Sequence, residues 1–126
     1  MSLRILLAAV LGAIIGYERR RADKPVGLRT LVLISVGAAL FTVASVYAFG
    51  EDGDPSRVAA GVVAGIGFLG AGAIIRRQEG GVEGITTAAA IWVVASIGLA
   101  AGAGLYLIAT VTTVIVMLVL LLLRQD

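Results

Sequence analysis

Five apolar stretches, separated by short charged or glycine-rich segments, constrain this chain more than any other feature. They run from Leu3 to Tyr17, Leu31 to Gly50, Val58 to Ile75, Ile85 to Ala100 and Leu105 to Leu123. A membrane-crossing helix needs about 20 mainly apolar residues to cover roughly 30 Å of hydrocarbon. The first stretch is short for a span, so it takes in Met1 and Ser2 or sits in a locally thinned bilayer, and Arg4 snorkels outward from the helix end. The last two are joined only by Ala101-Gly102-Ala103-Gly104. One helix from Ile85 to Leu123 would be about 60 Å long, so the chain reverses at those glycines. The expected fold is all-α, a polytopic transmembrane bundle of five spans at about 1–17, 28–50, 57–75, 84–100 and 105–123, forming one domain over residues 1–126.

Composition supports lipid as the solvent. Hydrophobic residues make up 60% of the chain and charged residues 14%, where a soluble domain carries about 25% charged residues. A globule this small has too little interior to hide so much apolar surface. With no Cys and no His, disulfides, thiolate or imidazole metal sites and Ser–His–Asp chemistry are excluded. No enzymatic activity is expected. The dispersed basic residues and net charge of +2 point away from nucleic acid.

Charge orients the spans. Arg19, Arg20, Arg21, Lys24 and Arg29 flank the first loop, Arg76 and Arg77 the third, and Arg124 follows the last span; only Arg4 and Arg57 fall on the other side. The positive-inside rule places the N-terminus outside and the C-terminus in the cytoplasm of an inner membrane. The strong cluster after the first stretch, with no small-x-small site before it, reads as a retained span and not a cleaved leader.

Glycine is the dominant motif residue. Gly12/Gly16, Gly61/Gly65 and Gly98/Gly102 form G-x-x-x-G pairs, and Gly65, Gly67, Gly70 and Gly72 crowd the third stretch. Small residues let membrane helices approach closely, so the pairs predict tight packing within the monomer, with a homodimer face or a broken helix as alternatives. Gly65-Ile66-Gly67-Phe68-Leu69-Gly70 matches a dinucleotide fingerprint in letters only, since no βαβ context surrounds it. Asp54-Pro55-Ser56-Arg57 reads as a helix start. Glu18, Arg29 and Arg57 sit at helix ends whose dipole opposes their charge, which predicts pairing of Glu18 with Arg29 and of Arg57 with Asp54 or another outer-loop acid. Thr86 and Thr87 can cap the fourth span. Ser35, Thr42, Ser45, Ser96, Thr110, Thr112 and Thr113 are expected to bond between helices. No Asp or Glu falls inside any span in this reading, which argues weakly against cation transport.

Six segments in order resemble the membrane domain of the MgtC/SapB family. They are Gly16-Tyr17-Glu18-Arg19, Lys24-Pro25-Val26-Gly27-Leu28-Arg29-Thr30, Asp54-Pro55-Ser56-Arg57-Val58-Ala59-Ala60, Gly65 through Ile74, Gly84-Ile85-Thr86-Thr87-Ala88-Ala89, and Trp92 with Ala95 to Gly98. The resemblance implies a bacterial inner-membrane protein linked to magnesium limitation and, in pathogens, to survival inside host cells. It implies a regulator of other membrane proteins, the ATP synthase among them, with a magnesium or small-ion transporter or channel as the alternative. Larger members carry a soluble domain after the last span, so that domain's function is not carried over. The motif positions it marks are Glu18, Lys24, Gly27, Arg29, Thr30, Asp54, Arg57, Gly65, Gly67, Gly70, Gly72, Thr86 and Thr87. No cofactor is implied beyond magnesium as a transported or sensed ion, and no metal ligands are assigned. The expected partners are the lipid bilayer, a second copy and another membrane protein.

Overall fold

The computed structural model describes residues 1–50, 53–76 and 80–123, with the backbone alone at Arg76. Arg77 and Arg124, which enter the charge reading above, and the outer-loop acids Glu51 and Asp52 lie outside the described residues. Five helices follow one another: α1 (Ser2–Arg21), α2 (Leu28–Tyr47), α3 (Pro55–Gly72), α4 (Ile85–Gly102) and α5 (Tyr106–Leu122). The molecule is an all-α, membrane-type bundle. Helices α2, α3 and α4 are long and apolar enough to cross a bilayer, and α5 is a shorter apolar helix. A small antiparallel hairpin, β1 (Ile75–Arg76) with β2 (Val82–Glu83), joins α3 to α4; the sequence reading had only a loop there.

Helix α1 runs four residues beyond the expected end of its span. Its last turn holds Arg19, Arg20 and Arg21, cations that suit the partial negative charge of a helix C-terminus. The helix stops in a Schellman motif. The Lys24 amide donates to the Arg19 carbonyl at 3.0 Å and the Asp23 amide to that of Arg20 at 3.1 Å. Asp23 takes the left-handed conformation at φ 60°, which Asp tolerates better than most residues. The α4–α5 reversal is built the same way. Gly104, at φ 86°, sits where Leu105 donates to the Ala100 carbonyl and Gly104 to that of Ala101.

Helix α2 is the axis of the bundle, flanked by α1 and α4. In lipid there is little hydrophobic drive between helices, so close packing has to hold them. A Cβ on Gly12 would lie 2.8 Å from the Ser35 Cβ, and one on Gly16 would lie 2.7 Å from the Leu28 Cα. On the other flank, Gly98 and Gly102 press onto the Ser35 and Ala39 carbonyls. Ile15, Leu31, Val94, Ile97 and Ala101 fill the centre, none more than 1% exposed. These contacts fix direction: α1 is antiparallel to α2, and α4 is parallel to it.

The hydroxyls divide. Ser35, fully buried, donates to the Ala8 carbonyl at 2.7 Å and links α2 to α1. Ser45 donates to the Pro55 carbonyl at 3.4 Å, tying the end of α2 to the start of α3. Thr42, Thr113 and Ser96 instead donate to carbonyls of their own helices, Ala38, Ala109 and Val93. Back-bonding satisfies a hydroxyl without any neighbour, and so corrects the expectation that these three bond between helices.

Candidate functional site

Two polar groupings and one apolar cleft stand out, and the helix directions decide where each lies. The C-terminal end of α1, the start of α2, the end of α3, the hairpin and the start of α4 share one end of the bundle, as the Gly16–Leu28 and Gly70–Ala88 approaches require. This basic end carries Glu18, Arg19, Arg20, Arg21, Lys24, Arg29, Thr30, Thr86 and Thr87. Arg4, Tyr47, Asp54 and Arg57 lie at the opposite end.

At the basic end Glu18 and Arg19 form a two-point ion pair. The Arg19 Nε donates to Glu18 Oε2 at 2.6 Å and its Nη2 to Oε1 at 3.1 Å, with both side chains 3% exposed. Sequential residues on a helix do not normally face each other, so helical spacing offers no reason to join them. The expected Glu18–Arg29 pair does not form among the described residues: Arg29 is exposed in the first turn of α2. Glu18 is also buried within α1, one residue past the expected end of the first span. The Arg19 Nη1 is buried with no hydrogen-bond partner among the described residues.

The neighbouring motif residues are placed by the first loop. Gly27 precedes α2 and its carbonyl accepts from the Leu31 amide at 3.1 Å. Lys24 contributes the amide that closes α1. Thr87 is buried at the start of α4 while Thr86 is exposed. Gly84, at φ 88°, ends the hairpin against the Ala73 carbonyl; a side chain there would meet both strained backbone and occupied space.

At the other end Asp54 caps α3. Its Oδ1 accepts from the Ser56 amide at 3.0 Å and the Ser56 hydroxyl at 2.6 Å. These bonds, with the nearby Arg57 charge, hold the Asp54 carboxyl below its ordinary value. Arg57 is exposed and makes no ion pair within 4 Å of Asp54; the other acids of that loop, Glu51 and Asp52, lie outside the described residues. Arg4, read from sequence as snorkelling away, turns inward. Its Nη1 donates to the Gly102 carbonyl at 3.0 Å, and its guanidinium lies 5.1 Å from the centre of the Tyr47 ring. One side chain thus connects α1, the end of α2 and the α4–α5 turn.

The glycines of α3 behave differently from those of α1 and α4. Gly70 is buried against Ala88, but a Cβ on Gly61, Gly65, Gly67 or Gly72 would meet nothing within 4 Å. Gly61, Gly65 and Gly72 line a cleft of about 960 Å³ between α2 and α3, with Leu33 and Phe41 opposite and Ile91 of α4 behind. Gly67 lies outside it, on the far side of α3. The packing expected of the Gly61/Gly65 pair is therefore absent, because the cleft separates α2 from α3 along these glycines. Among the described residues no group of three or more acidic side chains gathers to hold a metal ion.

The family model described as the MgtC family matches residues 5–125. The chain belongs to the MgtC family. Its similarity to the protein named MgtC of Brucella abortus (strain 2308) is 49% identity over 117 residues, covering 93% of this chain and 48% of that protein. YhiD of Escherichia coli K12, whose name proposes a magnesium transporter, is 45% identical over 130 residues, covering 98% of this chain and 60% of YhiD. An uncharacterized protein of Haemophilus influenzae is 44% identical over 122 residues, covering 90% of this chain and 51% of its own length. This MgtC-family chain thus spans about half to three-fifths of the length of these relatives. No solved structure matches it significantly.

Proposed function

We propose that this MgtC-family chain is a non-enzymatic membrane protein of magnesium homeostasis that regulates other membrane proteins through helix–helix contact, with α3 as its docking helix. The observation that carries this reading is the surface of α3, which buries only Gly70 of its 18 residues. Ala60, Ala64, Gly67 and Ala71 recur at helical spacing on the side away from the cleft, all exposed, and Phe68 beside them is 81% exposed. Small residues flanking an aromatic knob suit close approach of another membrane helix. The basic end faces the cytoplasm in this reading, which puts the N-terminus outside. The family membership and the name of YhiD support the link to magnesium.

The test separates regulation from transport. Purified protein in liposomes containing a magnesium-sensitive dye is expected to give no saturable flux under an imposed gradient. A photo-crosslinker at Ala64 or Phe68 in native membranes is expected to capture another membrane protein. Saturable flux that disappears with Glu18→Gln would overturn the proposal in favour of a transporter. That second reading is supported by the burial of Glu18, since carboxylates held inside membrane bundles commonly mark ion paths.

A further inference from the structure

We infer that the cleft between α2 and α3 is a binding site for an anionic phospholipid, its acyl chains lying in the cleft and its phosphate on Arg20 and Arg29. The cleft is apolar, and its space is kept open by glycines from both walls: Gly37 on α2, and Gly61, Gly65 and Gly72 on α3, have nothing within 4 Å of where a side chain would begin. At about 960 Å³ it is at the upper end of small-ligand sites. In a bilayer such a space is filled by lipid or by another helix, because an apolar void forfeits dispersion contacts.

Length and charge favour lipid. The α3 wall runs from Val58 to Ala73, about 22 Å at helical rise, short of the roughly 30 Å a spanning helix needs. The Ser45–Pro55 contact joins α2 to α3 beyond the Phe41–Val58 end, so a chain enters from the basic end. There the cleft continues, through Thr30 and Leu33, into a second depression lined by Arg20, Pro25, Gly27 and Arg29. Arg20 and Arg29 are exposed and have no acidic partner among the described residues. Arg29 also occupies the first turn of α2, where the helix dipole opposes a cation, and a phosphate would relieve that opposition. The two arginines cap one end of an apolar slot, matching an amphiphile with an anionic head. The site uses the cleft side of α3 and stands independently of the docking face proposed above.

The reporter is Phe41→Trp in a Trp92→Phe background, because Trp92 is the one native tryptophan. The protein is placed in phosphatidylcholine vesicles with a minor share of phosphatidylglycerol, and either lipid carries brominated acyl chains that quench tryptophan. Brominated phosphatidylglycerol is expected to quench several-fold more strongly at equal mole fraction. Arg20→Gln and Arg29→Gln are each expected to lower that preference about fivefold, as for a basic residue at an anionic surface. Lysine at either position should retain it, which guards against a fold defect in the glutamine variants. Gly65→Leu, which fills the slot, should weaken quenching by both lipids. Equal quenching by the two lipids, a preference surviving both glutamine variants, or displacement by millimolar inorganic phosphate would overturn the assignment. So would disulfide-linked dimers of Gly65→Cys in the same vesicles, since a second copy would then occupy the cleft.

Discussion

Glu18 and Arg19 are neighbours in the chain and each other's ion-pair partner, meeting at two points in the interior of the bundle. Truncating the carboxylate leaves a guanidinium that water cannot reach. Breaking a buried pair by removing one partner costs about 3–5 kcal/mol. Glu18→Ala is therefore expected to lower the midpoint of thermal unfolding in detergent steeply. A loss within the scatter of surface variants would show that the pair is hydrated in the membrane-embedded protein.

The glycines against α2 and those of α3 should respond oppositely to alanine. Gly98→Ala drives a methyl group into the Ser35 carbonyl and forces α4 off α2; overpacking of this kind costs about 1–3 kcal/mol. Gly61→Ala adds its methyl to open space and gains helix propensity of roughly 1 kcal/mol. Thermal unfolding of the two variants side by side checks the contrast, and equal destabilisation would refute the packing described.

Arg4 is expected to behave as a tie between distant segments and not as a headgroup anchor. Arg4→Ala should speed amide exchange in the α4–α5 turn around Gly102 to Tyr106, and Arg4→Lys should not fully restore it. The planar guanidinium covers Tyr47 while donating to Gly102, a combination lysine does not reproduce. Exchange unchanged in Arg4→Ala would refute the tie.

Acid should release the start of α3. The Asp54 carboxyl titrates below its ordinary 3.8 in the folded protein, so it binds fewer protons folded than unfolded. Its contribution is complete above that ordinary value and fades as pH falls through the lowered one. Amide exchange at Ser56 and Arg57 should therefore rise only in strongly acidic buffer, and Asp54→Asn should remove most of the pH dependence. A rise near neutral pH would point to another group.

Much of this fold is legible in the sequence, because hydrophobic length reads out a membrane helix almost regardless of its neighbours. All five described helices start within two residues of the expected spans, and the Ala101–Gly104 reversal is where the glycines put it. What is illegible is which face meets which. Gly12/Gly16, Gly61/Gly65 and Gly98/Gly102 are alike as strings, yet the middle pair borders a cleft between α2 and α3. The continuation of α1 past Tyr17 is hidden for a related reason: four charged residues look like an exit into water. Here three of them suit a helix C-terminus, and the fourth finds its partner one position on. The hairpin escaped notice because strands of two residues leave no periodicity. Of the residues marked by resemblance, Glu18, Lys24, Gly27, Arg29, Thr30, Thr86 and Thr87 come to one end, while Asp54 and Arg57 lie at the other. Ser35 and Arg4, which tie helices together, could have been noticed only as polar side chains in otherwise apolar runs.

The bond from Arg4 to the Gly102 carbonyl spans 98 positions of the chain. A ribosome delivers the first helix long before the fourth, so this tie has to wait until the fourth helix has left the exit tunnel. Until then the first helix is held against the second by the close approach at Gly12 and Gly16, the Ser35 bond and the apolar packing around Ile15 and Leu31. The finished bundle is fastened by a side chain of α1, and that fastening is among the last events of its assembly.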